Sequence, residues 1–240
     1  SNPKAKIALL YQDDDFGQAY EKAIKKAIKG TDITIVAEQS FNPLGGTTPE
    51  AAVTKLSQSD ADTFIVGLGG TPCPTSLKLK PDTWKPATIV SVTCAGKTAL
   101  SLAGGKDQGV IAAQATYDPS DPTDAQVPVV QQFRKDASAA GLTEQQIDGG
   151  ITGPGWGFGS LFGLGIENAE TVDRAGVMNA LWSLDTDSFG LVRDGVTVIT
   201  DGTEDPWAIE GFRIVQRECD GWKELSPITN WEGESNSFAG

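Results

Sequence analysis

Five short apolar segments recur over the first half of the chain, and their alternation with helical patterns leaves few folds open. They are KIALLY (6–11), ITIVAEQSF (33–41), TFIVGLG (63–69), ATIVSVT (87–93) and VIAAQAT (110–116). The first shows no apolar–polar alternation, the pattern of a strand buried on both faces. After it, Phe16, Tyr20, Ile24 and Ile28 recur at a spacing of four, with Lys22, Lys25, Lys26 and Lys29 on the other side; this predicts an amphipathic helix stopped by Gly30. Thr47-Thr48-Pro49-Glu50 supplies a cap candidate, a proline for the first helical position and an acid for the first turn of a second helix running to about Ser59. Strands alternating with helices over about 30 residues predict right-handed βαβ units, hence an α/β fold with a doubly wound parallel sheet.

After Tyr117 the pattern changes. YDPSDPTDAQVP (117–128) holds three prolines and three aspartates and reads as a crossover, because proline can continue neither a helix nor a central strand. Helices are predicted over 128–140, 157–170 and 173–184, with little strand signal between them. In GPGWGFGSLFGLG (153–165) glycine lets a helix approach another backbone closely. IEGFRIVQRECDGWKEL (209–225) alternates and turns at Asp220-Gly221, a hairpin signal, and the polar tail SPITNWEGESNSFAG (226–240) reads as surface. Helices without a sheet of their own, in a chain that starts directly on a strand, read as the back part of a longer protein.

Charge and composition exclude several functions. Lys+Arg 19 against Asp+Glu 32 gives a net charge of −13, which repels nucleic acid, and no basic patch offsets it; Lys25-Lys26 and Lys78/Lys80 read as solvated faces. The chain has no histidine, so the usual base near neutral pH, His-containing triads and most zinc sites are absent, and no nucleophile–base pair stands out. The expectation is a protein that is not an enzyme and uses no cofactor. A dinucleotide fingerprint needs GxGxxG after the first strand, where this chain has QDDDFG. SVTCAGKT (91–98) ends like a phosphate-binding loop but places Ser91 where the loop needs glycine. No run of about 18 apolar residues occurs.

In an open parallel sheet, ligands bind beyond the carboxyl ends of the strands. Asp13-Asp14-Asp15 falls at that edge, either capping the following helix or holding a cation; an EF-hand spacing is not present. Phe16, in the first turn, reaches the mouth of a cleft or packs in the core, while Tyr20 faces the sheet. GLGGTPCP (67–74), with Gly70 and Thr71, either exposes backbone to a small polar ligand or merely turns the chain. Cys73 and Cys94 follow neighbouring strands, about 5 Å apart, and leave by the same edge, within reach of a disulfide; two reduced, buried thiols are the alternative. A disulfide implies an oxidising compartment, and Cys219 is left over.

KIALLYQDDDFGQAYEKAIKKAIKG (6–30), ADTFIVGLGGTP (61–72), GVIAAQATYDPSDP (109–122) and GWGFGSLFGLGIENAETVDRAGVMNALWSL (155–184), in that order, resemble type I periplasmic solute-binding proteins of the branched-chain amino-acid class of ABC importers. The resemblance implies an extracytoplasmic, two-lobed receptor that closes on a small-molecule solute and docks on a membrane permease. The same lobes also serve as sensor domains of receptors and regulators. It implies that residues 1–118 and 208–240 form the second lobe and 119–207 the helical part of a first lobe whose opening half is absent. It further implies ligand contacts at Phe16, at Gly70 or Thr71, and at Thr93. Branched-chain amino-acid binders carry an acid at the last position to meet the ligand's ammonium, and this chain carries an uncharged threonine there.

Overall fold

The computed structural model describes residues 2–235. The chain divides into two compact units, Ser1–Ala112 with Gln216–Cys219, and Ala113–Val215 with the residues from Asp220 onward. Unit 1 contains β1 (Lys6–Gln12), α1 (Asp15–Ala27), β2 (Thr34–Phe41), α2 (Glu50–Ser57), β3 (Thr63–Gly67), α3 (Pro72–Leu79), β4 (Ala87–Val90), α4 (Lys97–Ser101) and the start of β5 (Ile111–Gln114). The strands stand in the order β2-β1-β3-β4-β5, each neighbouring pair parallel. A right-handed crossover from β1 to β2 runs opposite in direction to those from β2 to β3, β3 to β4 and β4 to β5, so α1 covers one face and α2, α3 and α4 the other. Accordingly α2 packs beside α3 and α3 beside α4. The order reverses between β1 and β3, and that reversal opens a crevice at their carboxyl ends.

The apolar runs form these strands because both faces are covered. Leu9, Leu10, Phe64, Val66, Leu56 and Leu77 are fully buried, each contributing about 1.5–3 kcal/mol of apolar burial. Trp84, just before β4, packs on Phe64 at 5.0 Å between ring centres and donates its indole N–H to the Ala61 carbonyl at 3.1 Å. β3 and β4 end two or three residues before the apolar runs do, because the chain turns at Leu68–Gly70 and enters a 3-10 turn at Val92–Cys94. The second helix also departs from expectation. Pro49 is its N-cap rather than its first helical residue, and neither threonine before it makes the capping bond.

The first turn of α3 is joined to the 3-10 turn after β4 by a disulfide between Cys73 and Cys94, with Cα atoms 6.0 Å apart. Cys219 is free and exposed.

Unit 2 holds α5 (Pro128–Ala139), α6 (Glu144–Ile147), α7 (Thr152–Glu167), α8 (Arg174–Leu181), β6 (Asp185–Thr186), β7 (Val198–Ile199), most of β8 (Gly211–Glu218), β9 (Gly221–Glu224) and β10 (Thr229–Asn230). Tyr117, Val130, Phe133, Ala137, Ile147 and Leu191 make one core cluster; Phe189, Val192, Val196 and Val198 make another. α7 begins five residues earlier than its apolar pattern. Its glycines do permit close approach: Gly190, at φ +53°, comes so near Gly157 that a Cβ on Gly190 would lie 2.5 Å from the Gly157 Cα. The hairpin of β8 and β9 turns at Cys219-Asp220, one residue before the expected pair, with Cys219 at φ 52°. The tail carries a short strand, β10, antiparallel to the start of β8, with Trp231 against Phe212 at 5.7 Å; residues 236–240 lie outside the described residues.

A buried ion pair organises unit 2. The Arg193 guanidinium grips both oxygens of Asp124, lies 4.3 Å from the centre of the Tyr117 ring, and has 9% of its side chain exposed against 5% for Asp124. Asp124 also accepts the Asp118 N–H at 2.8 Å. Breaking such a pair from one side leaves an uncompensated buried charge. Asp124→Ala is therefore expected to destabilise unit 2 by about 3–5 kcal/mol in urea unfolding; a loss below about 1 kcal/mol would mean that water reaches Arg193. The disulfide closes a loop of sequence separation 21, so the double variant Cys73→Ser/Cys94→Ser is expected to lose about 3 kcal/mol in unit 1. An unchanged denaturation midpoint would contradict that.

Candidate functional site

The turns after β1, β3 and β4 share one rim because the strand register ends together. Tyr11 pairs with Gly67, and Val66 with Val90. Three links then bind turn to turn. Gln12, the last residue of β1, accepts the Gly69 N–H on its Oε1 at 3.2 Å and donates its amide to the Asp14 carboxylate. Ser91, fully buried after β4, donates its hydroxyl to the Leu68 carbonyl at 2.6 Å and its N–H to the Val66 carbonyl at 3.0 Å. The Cys73–Cys94 disulfide closes the outer side.

Of the three aspartates, Asp14 caps α1, accepting the Gly17 N–H at 3.0 Å. That bond, helped by the Gln12 amide, holds its carboxyl below the usual carboxylate range. Asp15 is the first helical residue, where a negative charge complements the helix dipole. The capping reading accounts for both.

Phe16 is half-buried, edge-on to Tyr20 at 5.2 Å. Tyr20 lies against the sheet at Gly67, and burial pushes its phenol up, partly offset by a hydrogen bond with the Val92 backbone. Thr93, exposed, has its hydroxyl 3.0 Å from that of Ser91. Around the place where a side chain on Gly69 would stand, Thr93 Oγ1 lies at 3.6 Å, Gln12 Oε1 at 3.7 Å and Phe16 Cε1 at 3.8 Å. Gly70, at φ +57°, makes the turn that carries the chain into α3, and it and Thr71 are exposed beside that space. The four residues singled out from the sequence, Phe16, Gly70, Thr71 and Thr93, thus lie on the three turns of this one rim. Gln12 and Ser91 were missed as members of it. A glutamine ending an otherwise apolar strand was the available signal for the first; the serine that disqualifies a phosphate loop was the signal for the second. Val92, with 56% of its surface exposed, adds an apolar rim residue.

The rim offers an aromatic face, two threonine hydroxyls and a glutamine amide, with no charged side chain among the groups that converge on Gly69. It can hold an organic solute by stacking and hydrogen bonding. In unit 2, carboxylate oxygens of Asp205, Glu210 and Glu232 lie within 4.8 Å of one another. Glu210, despite the upward push of burial, is held below the usual range by hydrogen bonds from Ser235 and Gly233, whose N–H groups sit 2.8 and 2.6 Å away. Glu232 is pushed up by burial and by its two acidic neighbours. Among the described residues no helix is long and apolar enough to cross a membrane.

Several known structures share this fold. A branched chain amino acid ABC transporter protein from Thermus thermophilus, with bound valine, is 17% identical and superposes at a TM-score of 0.79 over 100% of this chain and 64% of its own. A substrate-binding periplasmic protein from Ralstonia solanacearum is 20% identical, TM-score 0.72, over 92% of this chain and 61% of its own. An ABC transporter solute binding protein from R. palustris, in complex with 4-hydroxybenzoate, is 16% identical, TM-score 0.73, over 94% and 60%. This chain thus spans under two thirds of the length of these proteins. A search of curated proteins returned no match. The sequence matches the family described as Periplasmic binding protein over residues 1–218, and the chain belongs to that family.

Proposed function

We propose that this chain is the solute-binding component of an ABC importer, acting outside the cytoplasm, and that Phe16, Gly70, Thr71 and Thr93 form one wall of its solute site. The observation that carries this reading is the convergence of Phe16, Gln12 and Thr93 around Gly69, at the reversal of strand order between β1 and β3. The Cys73–Cys94 disulfide supports an oxidising location. Family membership supports a binding role without catalysis.

The wall's chemistry narrows the solute to an amino acid, amide or related small organic molecule with one flat or apolar face for Phe16 and a hydrogen-bonding group for Thr93. Thr93 brings no counter-charge, so an α-ammonium group there gains a hydrogen bond but no ion pair. Unit 1 carries this wall. In the same reading residues 1–118 and 208–240 belong to one lobe, and 119–207 to the helical part of another. The outer face of α7 supports the second assignment: Phe158 is 70% and Phe162 57% exposed, one turn apart, with open space over Gly155, Gly159 and Gly163. A partner permease in the membrane follows from the importer role.

One wall alone gives weak binding, so the 240-residue chain is expected to hold valine or 4-hydroxybenzoate, the solutes of its structural relatives, no more tightly than on the order of millimolar. Calorimetry finding micromolar affinity would contradict this. Gly69→Ala separates the site from the fold, because the new methyl meets its neighbours only at ordinary contact distances. It is expected to leave the melting temperature within about 2 °C; in a protein that carries both walls of the site it abolishes a detectable solute response, and Phe16→Ala there weakens binding by about 1–3 kcal/mol. Unaltered solute binding in both folded variants would return Phe16 to a packing role.

A further inference from the structure

At the opposite, amino edge of unit 1's sheet lies a second concavity, between the starts of β4 and β5. It measures about 250 Å³ and is lined by Lys80, Lys85, Thr88, Lys106, Gln108 and Val110 among others. Three lysines at one opening are unexpected in a chain of net charge −13. Lys80 was read from the sequence as part of a solvated face, yet it is half-buried and donates to Thr88 Oγ1 at 3.3 Å. Lys106 donates to the Lys80 carbonyl and pairs with Asp82 at 2.9 Å, an aspartate with 91% of its side chain exposed. Among the described residues no carboxylate comes within ion-pair distance of Lys80 or Lys85.

Half-burying an ammonium beside a second one is unfavourable unless an anion compensates. Burial, followed by the Lys106 charge, pulls the Lys80 ammonium below the usual lysine range. The remaining polar groups of the lining are the Thr88 hydroxyl and the Gln108 amide. The amide donates to the Asp107 carboxylate, which Arg217 already neutralises. Asp82, held ionised mainly by Lys106, is also influenced by the Lys85 charge, so Lys80 is the ammonium left without a carboxylate. Lysine ammoniums are compact point charges, and two of them at one opening are matched by an oxyanion carrying more than one negative charge, as a phosphoryl group does and a single carboxylate does not.

We propose that this concavity is a second binding site, separate from the rim, for the phosphoryl group of inorganic phosphate or of a phosphate monoester headgroup. Lys80 and Lys85 supply the charge that recognises it, and Lys106 braces Lys80 from behind.

The test is a titration of the ¹⁵N-labelled chain with inorganic phosphate, and with chloride at matched ionic strength, following the amides of Thr88, Gln108 and Gly109. Saturable shifts with phosphate alone, weakened about tenfold or more in Lys80→Met/Lys85→Met, are expected; methionine keeps the apolar stem that packs on the cavity wall. The amides of Gly70 and Thr93 should not move, which keeps the result independent of the solute wall. A response equal for phosphate and chloride, or a phosphate response retained in a variant with an otherwise native spectrum, would overturn the proposal. With phosphate binding in hand, co-sedimentation with phosphatidic-acid against phosphatidylcholine vesicles distinguishes a lipid headgroup from free phosphate as the source.

Discussion

Parallel pairing of β1, β3 and β4, in a register that ends at Tyr11, Gly67 and Val90, decides where each side chain of the rim can reach. The pairing is held by strands buried on both faces, where a shift by one residue would turn Leu9 and Val66 from one face of the sheet to the other. Given that register, short polar groups suffice to span from turn to turn. Gln12 bridges β1 to the turn after β3, Ser91 bridges that turn to the one after β4, and the disulfide fixes the entry to α3. The rim is therefore a built surface rather than three loops that happen to be adjacent, and a rigid wall loses little entropy when a solute settles on it.

The two edges of the sheet differ in charge character. At the carboxyl edge Asp14 and Asp15 serve the N-terminus of α1, and the three groups nearest to a side chain at Gly69 are uncharged. At the amino edge lysines gather beside two aspartates, Asp82 paired with Lys106 and Asp107 held by Arg217 and the Gln108 amide. Such separation lets one small α/β unit present two chemically distinct surfaces without either charge field dominating the other, since solvent screens exposed groups beyond roughly 8–10 Å.

The parallel sheet was legible because buried strands read as continuous apolar runs, and, whereas Thr93 was pointed to by the family resemblance alone, strand ends marked the edge on which Phe16, Gly70 and Thr71 stand. The cysteine pairing was within reach for the same reason. What escaped depends on distance along the chain. Arg193 and Asp124 are 69 residues apart, and nothing local marks either as buried. β6, β7 and β10 are two residues long each, too short to show a period. α7 starts at Thr152 although its first turn contains glycine and proline, because Pro154 sits where a helix has no use for an N–H. Lys80 read as solvent-facing because a charge near a helix end usually is, and only the fold brings Lys106 beside it.

A crystal structure with a bound organic solute tests the central claim most directly. The account predicts the solute seated over Gly69, its flat or apolar part in van der Waals contact with the Phe16 ring and a polar atom hydrogen-bonded to Thr93 Oγ1. A solute bound elsewhere, with the space over Gly69 filled only by water, would contradict it.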